Sequence, residues 1–483
     1  MSITFQSMYE EIMENISNEN VDSPLRKKIS EKLKQTNHKL IILDDDPTGV
    51  QTVHDVDVIT SWEKEWLREG LSDDKNVLYI LTNTRSYTPE VTKQINQEII
   101  CNLIDVTGEL GVDFSVISRS DSTLRGHYPL EISVIEEVLA ERSGWEIAGH
   151  LIIPAFFEGK RYTFDDTHYI VDGKMLVPVH ETEFANDSVF GFSTAHLPKW
   201  VAEKTEGKKA ADDVLTISIT DIRQGGVDKV LERLLSAEKN APIVVNAANY
   251  NDLDIVSFAV LKAIDKGKRF LFRTAASFVK SIGGIGQKPY LDAGEMIAKT
   301  SDHRYGGLLV VGSHTKKTTD QLTDLIKEIH VRPIEIKVEH ILDSTKKNDE
   351  LARVCNLLEE SIMAGEDTVI YTSRKVIKAK SKEENLKYSQ TISATLVEVV
   401  RSLKVTPNFI MAKGGITSSD VATQGLEIKK ARILGQAAAG VPVLLTGEEA
   451  RLKHVPYIVF PGNVGDENTI TSIIRKIHQL KGR

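Results

Sequence analysis

The sequence predicts an α/β protein of two domains, each built on a largely parallel sheet flanked by helices. Three observations predict it. Short apolar runs of strand length alternate with helical stretches in both halves of the chain. Most of these runs end in polar turns rich in Asp, Arg, Ser or Gly, and in a parallel sheet such turns lie beyond the carboxyl ends of the strands, where ligands sit. The length of 483 residues also exceeds what one hydrophobic core fills, which is roughly 250–300 residues.

The elements follow in order. Residues 2–35 read as one or two helices of mixed polarity. Residues 38–43 (HKLIIL) end in a continuous apolar run that fits a buried strand. They lead into Asp44-Asp45-Asp46-Pro47-Thr48-Gly49. Residues 76–82 (NVLYILT) form the next strand, followed by Asn83-Thr84-Arg85-Ser86-Tyr87. Thr88 with Pro89 after it makes an N-cap and a first helical residue. Residues 112–117 are a third strand and run into a polar turn from Ser118 to His127. Pro129 then opens a helix with Leu130, Val134 and Val138 on one face. Residues 150–153 are a fourth strand, and 155–195 read as irregular, with many aromatics, Asp and His. Residues 214–218, 243–246 and 269–273 continue the strand series.

The composition changes after residue 278, and a junction is expected near 285–305. The expected divisions are a helical extension over 1–37, a first domain over 38–290 and a second over 300–483. In the second, residues 306–312 (GGLLVVG) are a strand, and Ser313-His314-Thr315 caps the helix after it. Residues 367–371, 408–412, 442–445 and 456–460 are further strands, and 385–403 is a long helix.

Apolar residues make up 41% of the chain and charged residues 27%, ordinary for a globular protein. The net charge of −9 argues against nucleic acid or an anionic membrane as partner, because both call for a basic face. It does not exclude an anionic small molecule, since local arginines outweigh a distant charge in screened solution. The N-terminus reads as an acidic helix, not a signal peptide. No apolar run approaches the roughly 18 residues of a membrane span, so the cytoplasm is the expected location. Cys101 and Cys355 form no disulfide or zinc pattern and read as buried apolar fillers. A homodimer is expected only because it is the commonest oligomer.

The turn Ser118-Arg119-Ser120-Asp121-Ser122-Thr123-Leu124-Arg125-Gly126-His127 is the most informative stretch. A turn that only reverses the chain uses Gly, Pro, Asn and Asp. Arginine forks match carboxylate or phosphate oxygens two at a time, and Asp and hydroxyls suit sugar-like OH groups. A small, oxygen-rich anion is the expected ligand. Asp44-Asp45-Asp46 either binds Mg²⁺ together with substrate phosphates or hydrogen-bonds and deprotonates a sugar hydroxyl. A turn cap needs one Asp, not three. Arg85 either joins this anion site or lies on the surface. His127 reads as a structural hydrogen-bonding group, His168 and His180 as surface or rim residues, and Asp73-Asp74 and Asp165-Asp166 as solvated loop pairs.

In the second half three turns are rich in Gly and in hydroxyl or amide groups: Gly312-Ser313, residues 414–418 and residues 462–465. Free N–H groups and the positive dipole end at a helix start suit phosphate. One such turn reads as capping; three in one domain point to a nucleotide. No Walker A loop and no GxGxxG after a strand occurs.

Asp45-Asp46-Pro47-Thr48-Gly49, Thr82-Asn83-Thr84-Arg85-Ser86, the Ser118–His127 turn, Gly312-Ser313, Gly414-Gly415-Ile416-Thr417-Ser418 and Gly462-Asn463-Val464-Gly465-Asp466 together resemble the four-carbon acid sugar kinase family, formerly a family of unknown function. The resemblance covers nearly the whole chain past about residue 38. It implies an N-terminal domain that binds an acid sugar, a C-terminal domain that binds ATP, and an active site in the cleft between them. It implies phosphorylation of the terminal hydroxyl of a tetronate such as threonate, erythronate or 3-oxotetronate. Asp45, Asp46, Arg119, Asp121 and Arg125 would line the sugar site, and Arg85 and Ser122 are added as substrate-binding candidates. Asp46 or Asp121 would take the hydroxyl proton, while Arg119 and Arg125 clamp the carboxylate. Ser313, Gly414, Gly415, Ile416, Thr417 and Gly462 would contact ATP, with Mg²⁺ bridging phosphate oxygens through ligands not assigned. Many members carry Lys-Ser-Gly where this chain has Phe460-Pro461-Gly462. Either Lys413 or another residue supplies the missing cation, or nucleotide affinity differs.

Two other readings stand beside this one. Asp44-x-Asp46-x-Thr48 after Leu43 fits the DxDxT signature of haloacid-dehalogenase-like phosphatases, with Asp44 as nucleophile. A non-catalytic sensor of an acid sugar would bind without turnover, and the nucleotide-like second half argues against it.

Overall fold

β1 (His38–Asp44) is buried along its whole length, as expected of a strand covered by helices on both faces. The computed structural model describes residue 10 and residues 23–46, 49–173, 175–299, 305–374, 382–462 and 464–481. Most of the expected N-terminal extension, together with Pro47, Thr48 and Asn463, lies outside the described residues. The chain divides into two compact units, Met1–Lys288 and Pro289–Arg483.

In the first unit β1 is followed by β2 (Val56–Ile59), β3 (Val77–Leu81), β4 (Asp113–Arg119) and β5 (Gly149–Ile153). Then come β6 (Arg161–Phe164), β7 (Thr167–Asp172) and β8 (Met175–Pro178), and after them β9 (Leu215–Ile217), β10 (Ala241–Val245) and β11 (Phe270–Thr274). The main sheet has the order β2-β3-β1-β4-β11-β5-β10-β9, and every one of these pairings is parallel. Its connecting helices begin and end on readable signals. In the helix Pro89–Leu110 the Thr88 side chain accepts from Val91 N, Pro89 opens the first turn, and Gly111 closes it at φ +64°. Ile41, Ile80, Val116, Ile99, Leu103 and Ile135 are among the fully buried side chains that join sheet to helices.

The expectation that residues 155–195 are irregular is corrected. β6, β7 and β8 form a separate antiparallel sheet there. Asp165 and Asp166 are the two residues of its first turn, at φ +43° and +57°. Positive φ at both centres is the geometry that lets a two-residue hairpin follow the strand twist, and Asp is one of the residues that tolerates it. The pair is a turn device rather than a solvated loop.

The second unit contains β12 (Leu308–Val311), β13 (Arg332–Ile336), β14 (Thr368–Thr372), β15 (Ile410–Lys413), β16 (Lys430–Ala438), β17 (Val441–Thr446) and β18 (Pro456–Phe460). Their order is β13-β14-β12-β15-β18-β17-β16. The first five pair in parallel, while β17 runs antiparallel to both β18 and β16. β2, β13 and β16 are absent from the sequence reading. β13 exposes most of its residues and carries Pro333, and β16 alternates buried and half-exposed positions with Ala and Gly that have weak strand preference. Among the described residues no helix is long and apolar enough to cross a membrane. Cys101 and Cys355 are unbridged and half-buried rather than buried fillers.

Candidate functional site

Parallel strands bring their carboxyl ends to one edge, and the turns after β1, β3 and β4 meet there. Asp44 is in register with Leu81 on β3 and with Arg119 on β4. Arg119 Nη1 donates to Asp44 Oδ1 at 3.0 Å and stands 3.6 Å from Asp45 Oδ1. Arg85 touches all three turns. Its guanidinium pairs with Asp46, and stands 3.2 Å from Asp121 Oδ1 and 3.7 Å from Asp45 Oδ1. Arg125 Nε donates to Asp121 Oδ2 at 2.8 Å, and the Thr123 hydroxyl donates to the same oxygen. The structure therefore gathers Asp45, Asp46, Arg85, Arg119, Asp121 and Arg125 into one cluster, and Arg85 belongs to it rather than to the surface. Ser122 takes part through its carbonyl, which accepts from His168 Nε2 at 2.8 Å.

Burial and pairing sort the carboxylates. Asp45 is 3% exposed and neither of its oxygens has a hydrogen-bond partner. Burial pushes its carboxyl up to about 7, against the pull of Arg85 and Arg119. Burial likewise pushes Asp44 up to about 6, opposed by Arg119. Asp121 goes the other way. Burial disfavours its charge, but Arg85, Arg125 and the hydrogen bond from Thr123 outweigh that and hold it well below the usual carboxylate range. Asp44 is 1% exposed, and a Cβ at Gly49 would stand 2.1 Å from its carboxylate oxygens. A nucleophilic Asp44 has no exposed oxygen to attack with.

Two residues that sequence reasoning missed lie behind this cluster. Arg273, at the end of β11, donates Nη2 to Arg125 O at 2.9 Å, while its Nε and Nη1 are buried without partners. Thr274, in register with Arg119, also has an unpartnered buried hydroxyl. Buried polar atoms left open in this way are the kind that a polar ligand satisfies. Their signal was an arginine next to a hydroxyl residue at the end of an apolar run, as at Ser118-Arg119. Glu131 was missed too. It accepts from Thr84 Oγ1 at 2.8 Å and Ser118 Oγ at 3.0 Å and ties two of the turns together.

His127 is structural, as expected: its Nε2 donates to the carbonyls of Thr84 and Tyr87. His168 is corrected from a rim residue to a fully buried one. Its Nε2 donates to Ser122 O, which leaves Nδ1 to accept from Thr163 Oγ1 at 3.0 Å. Burial pushes its pKa down to about 3, so it stays neutral and bolts the small sheet to the Ser118–His127 turn.

In the second unit Ser313, Gly414, Gly415, Ile416, Thr417 and Gly462 all line one cavity of about 440 Å³. That lies within the roughly 300–1,000 Å³ of small-molecule sites. Val338, Leu342, Ile392 and Leu396 form an apolar wall of the same cavity. A Cβ on Gly312 would stand 2.4 Å from Thr417 Oγ1, so glycine lets these two turns touch. Lys413 does not face the cavity. Its ammonium donates to the carbonyls of Pro461 and Gly462 at 2.7 and 3.1 Å, and burial lowers its pKa to about 8. Among the described residues, one cation beside these turns that sequence reasoning missed is Arg374. Its guanidinium donates to Ser313 O at 2.6 Å and to Thr372 O and Oγ1 at 2.9 and 3.1 Å. Among the described residues no group of three or more His, Cys, Asp or Glu side chains is arranged to hold a metal.

Two family models match the chain: a sugar-binding N-terminal domain over residues 40–282 and a nucleotide-binding C-terminal domain over residues 308–470. Solved structures with the same fold include a Haemophilus influenzae protein of the DUF1537 family. It is 17% identical with a TM-score of 0.64, covering 90% of this chain and 100% of that one. A Salmonella typhimurium protein provisionally named a tRNA synthase is 15% identical with a TM-score of 0.67, covering 91% of this chain and 99% of that one. At these identities the likeness carries the fold alone. Among the curated proteins none matches the chain.

Proposed function

The chain belongs to the four-carbon acid sugar kinase family, and from that premise we propose that it is an ATP-dependent kinase acting on the terminal hydroxyl of a four-carbon sugar acid. Threonate, erythronate and 3-oxotetronate are the substrate candidates. One observation carries the reading: a single chain joins a sugar-binding domain, with its crowded Arg–Asp cluster, to a nucleotide-binding domain whose glycine turns line a cavity.

Phosphoryl transfer calls mainly for positioning and charge neutralisation. Arg125 is the most exposed guanidinium of the cluster, at 27% against 17% for Arg85 and 9% for Arg119. It anchors the substrate carboxylate, and Arg119 holds Asp44 and Asp45 in place. Asp46, 28% exposed, orients the attacking hydroxyl and accepts its proton. Asp121 is committed to Arg85, Arg125 and Thr123 and serves to fix the arginines. Ser313, the turn at 414–417 and Gly462 hold the nucleotide. Magnesium, bound with ATP, would supply neutralisation of phosphate charge. No acidic side chain lines the cavity among the described residues.

The test is ADP production with ATP and Mg²⁺ against D- and L-threonate, D-erythronate and 3-oxotetronates. ADP release that depends on one acid supports the kinase and names its substrate. Phosphate release from sugar phosphates without ATP would instead move the assignment to a hydrolase.

A further inference from the structure

Residues 183–190 belong to a stretch that carries no recognised motif, yet they lie against the Ser118–His127 turn. The Phe184 ring stands 5.0 Å from the Arg125 guanidinium, and Phe190 packs edge-on against His127 with ring centres 4.9 Å apart. Asp187 sits between them. Its Oδ1 accepts the N–H groups of Val189 and Phe190 at 2.9 and 3.0 Å, and its Oδ2 stands 3.6 Å from Arg125 Nη1.

The two sides of Arg125 differ. On the inner side Nε is hydrogen-bonded to Asp121 at 2.8 Å. On the outer side 3.6 Å is too long for a hydrogen bond, and both partners are about one-quarter exposed. The guanidinium is thus held in plane by Asp121 and Phe184, with its Nη end against a loosely paired carboxylate. We propose that Asp187 is a positioning residue for Arg125: its carboxylate holds the Nη end of the guanidinium until the substrate's carboxylate replaces it, so an acid ligand alone bears the cost of displacing it. The inference rests on Arg125 being the carboxylate anchor. A ligand that brings a carboxylate able to pair bidentately displaces Asp187, whereas an uncharged polyol of the same length cannot.

Asp187→Asn separates the two jobs of this side chain, because an amide oxygen still accepts from Val189 and Phe190 while the charge is gone. Calorimetric binding of the sugar acid that supports ADP release should tighten roughly two- to fivefold in D187N, the scale of a partly exposed ion pair. That gain should shrink at high salt. The matching four-carbon polyol should not gain. Weaker or unchanged acid binding in D187N overturns the proposal, as does an equal gain for the uncharged polyol. A wild-type protein that binds no four-carbon sugar acid overturns the functional reading and this inference with it. One that binds an acid no less tightly than D187N overturns this inference alone.

Discussion

Arg85, Arg119 and Arg125 carry the same charge, and burial decides what each does with it. Arg119 is enclosed by Asp44 and Asp45, and Arg85 by Asp46 and Asp121, so both are spent on holding carboxylates together. Arg125 keeps an accessible end. Arg125→Ala should therefore raise KM for the acid at least tenfold and leave ATP affinity intact; an unchanged KM rejects the anchor role. Asp45 makes a second prediction. Its folded pKa of about 7 lies above the unfolded value near 3.9. Between these values the folded state binds a proton that the unfolded chain does not, so this group lowers stability as pH rises from about 4 to 7. Asp45→Asn removes that titration. Its stabilising effect should be larger at pH 8 than at pH 5 in urea unfolding, while acid-dependent ADP release falls. A gain that does not grow with pH rejects the buried, raised carboxylate.

At the scale of elements, the parallel sheet does the gathering and the small β6–β8 sheet does the covering. His150, on β5, shows how tightly the first sheet is sealed. Its Nδ1 donates to Asn240 Oδ1 at 2.8 Å, and its Nε2 accepts from the Tyr128 hydroxyl at 3.0 Å. Burial pushes its pKa down to about 4. With an unfolded value near 6.5, the unfolded chain takes up a proton first as pH falls, so stability is full above about 6.5 and drops toward pH 4. Wild type should lose up to about 2 kcal/mol more than His150→Gln between pH 7.5 and 5, read from denaturant midpoints. Equal losses would show that His150 is protonated in the fold. His168 has the same sign through its value of about 3, and its loss would free the small sheet from the Ser118–His127 turn.

For the whole molecule, ligand binding is the property to measure. A ligand that binds only the native state stabilises it in proportion to the logarithm of its saturation. Arg374 braces the Ser313 carbonyl against β14, so Arg374→Met should weaken ATP about tenfold by calorimetry while sugar-acid affinity is unchanged. Equal weakening of both ligands would mark a general loss of fold instead. The α/β class with two domains was legible from residue patterns, because apolar runs such as 38–43 and 306–312 and the caps at Thr88 and Thr315 are local features. The motif turns were legible for the same reason. The three carboxylates at the end of β1 look alike in sequence, yet Asp45 is raised toward neutrality and Asp46 is partly exposed. That ranking depends on Arg85 and Arg119, each brought in by a different strand. The pairing of β16 with β17, the commitment of Lys413 to backbone carbonyls, and Asp187 beside Arg125 likewise join residues distant in the chain. Short-range periodicity set the class of fold, most strands and the chemical types at the strand ends, and all of these were readable from the residues alone. Which arginine is accessible, which carboxylate is charged and that Arg374 braces the Ser313 carbonyl follow from the tertiary fold. Exposure and electrostatic field are sums over neighbours that the chain supplies from far away.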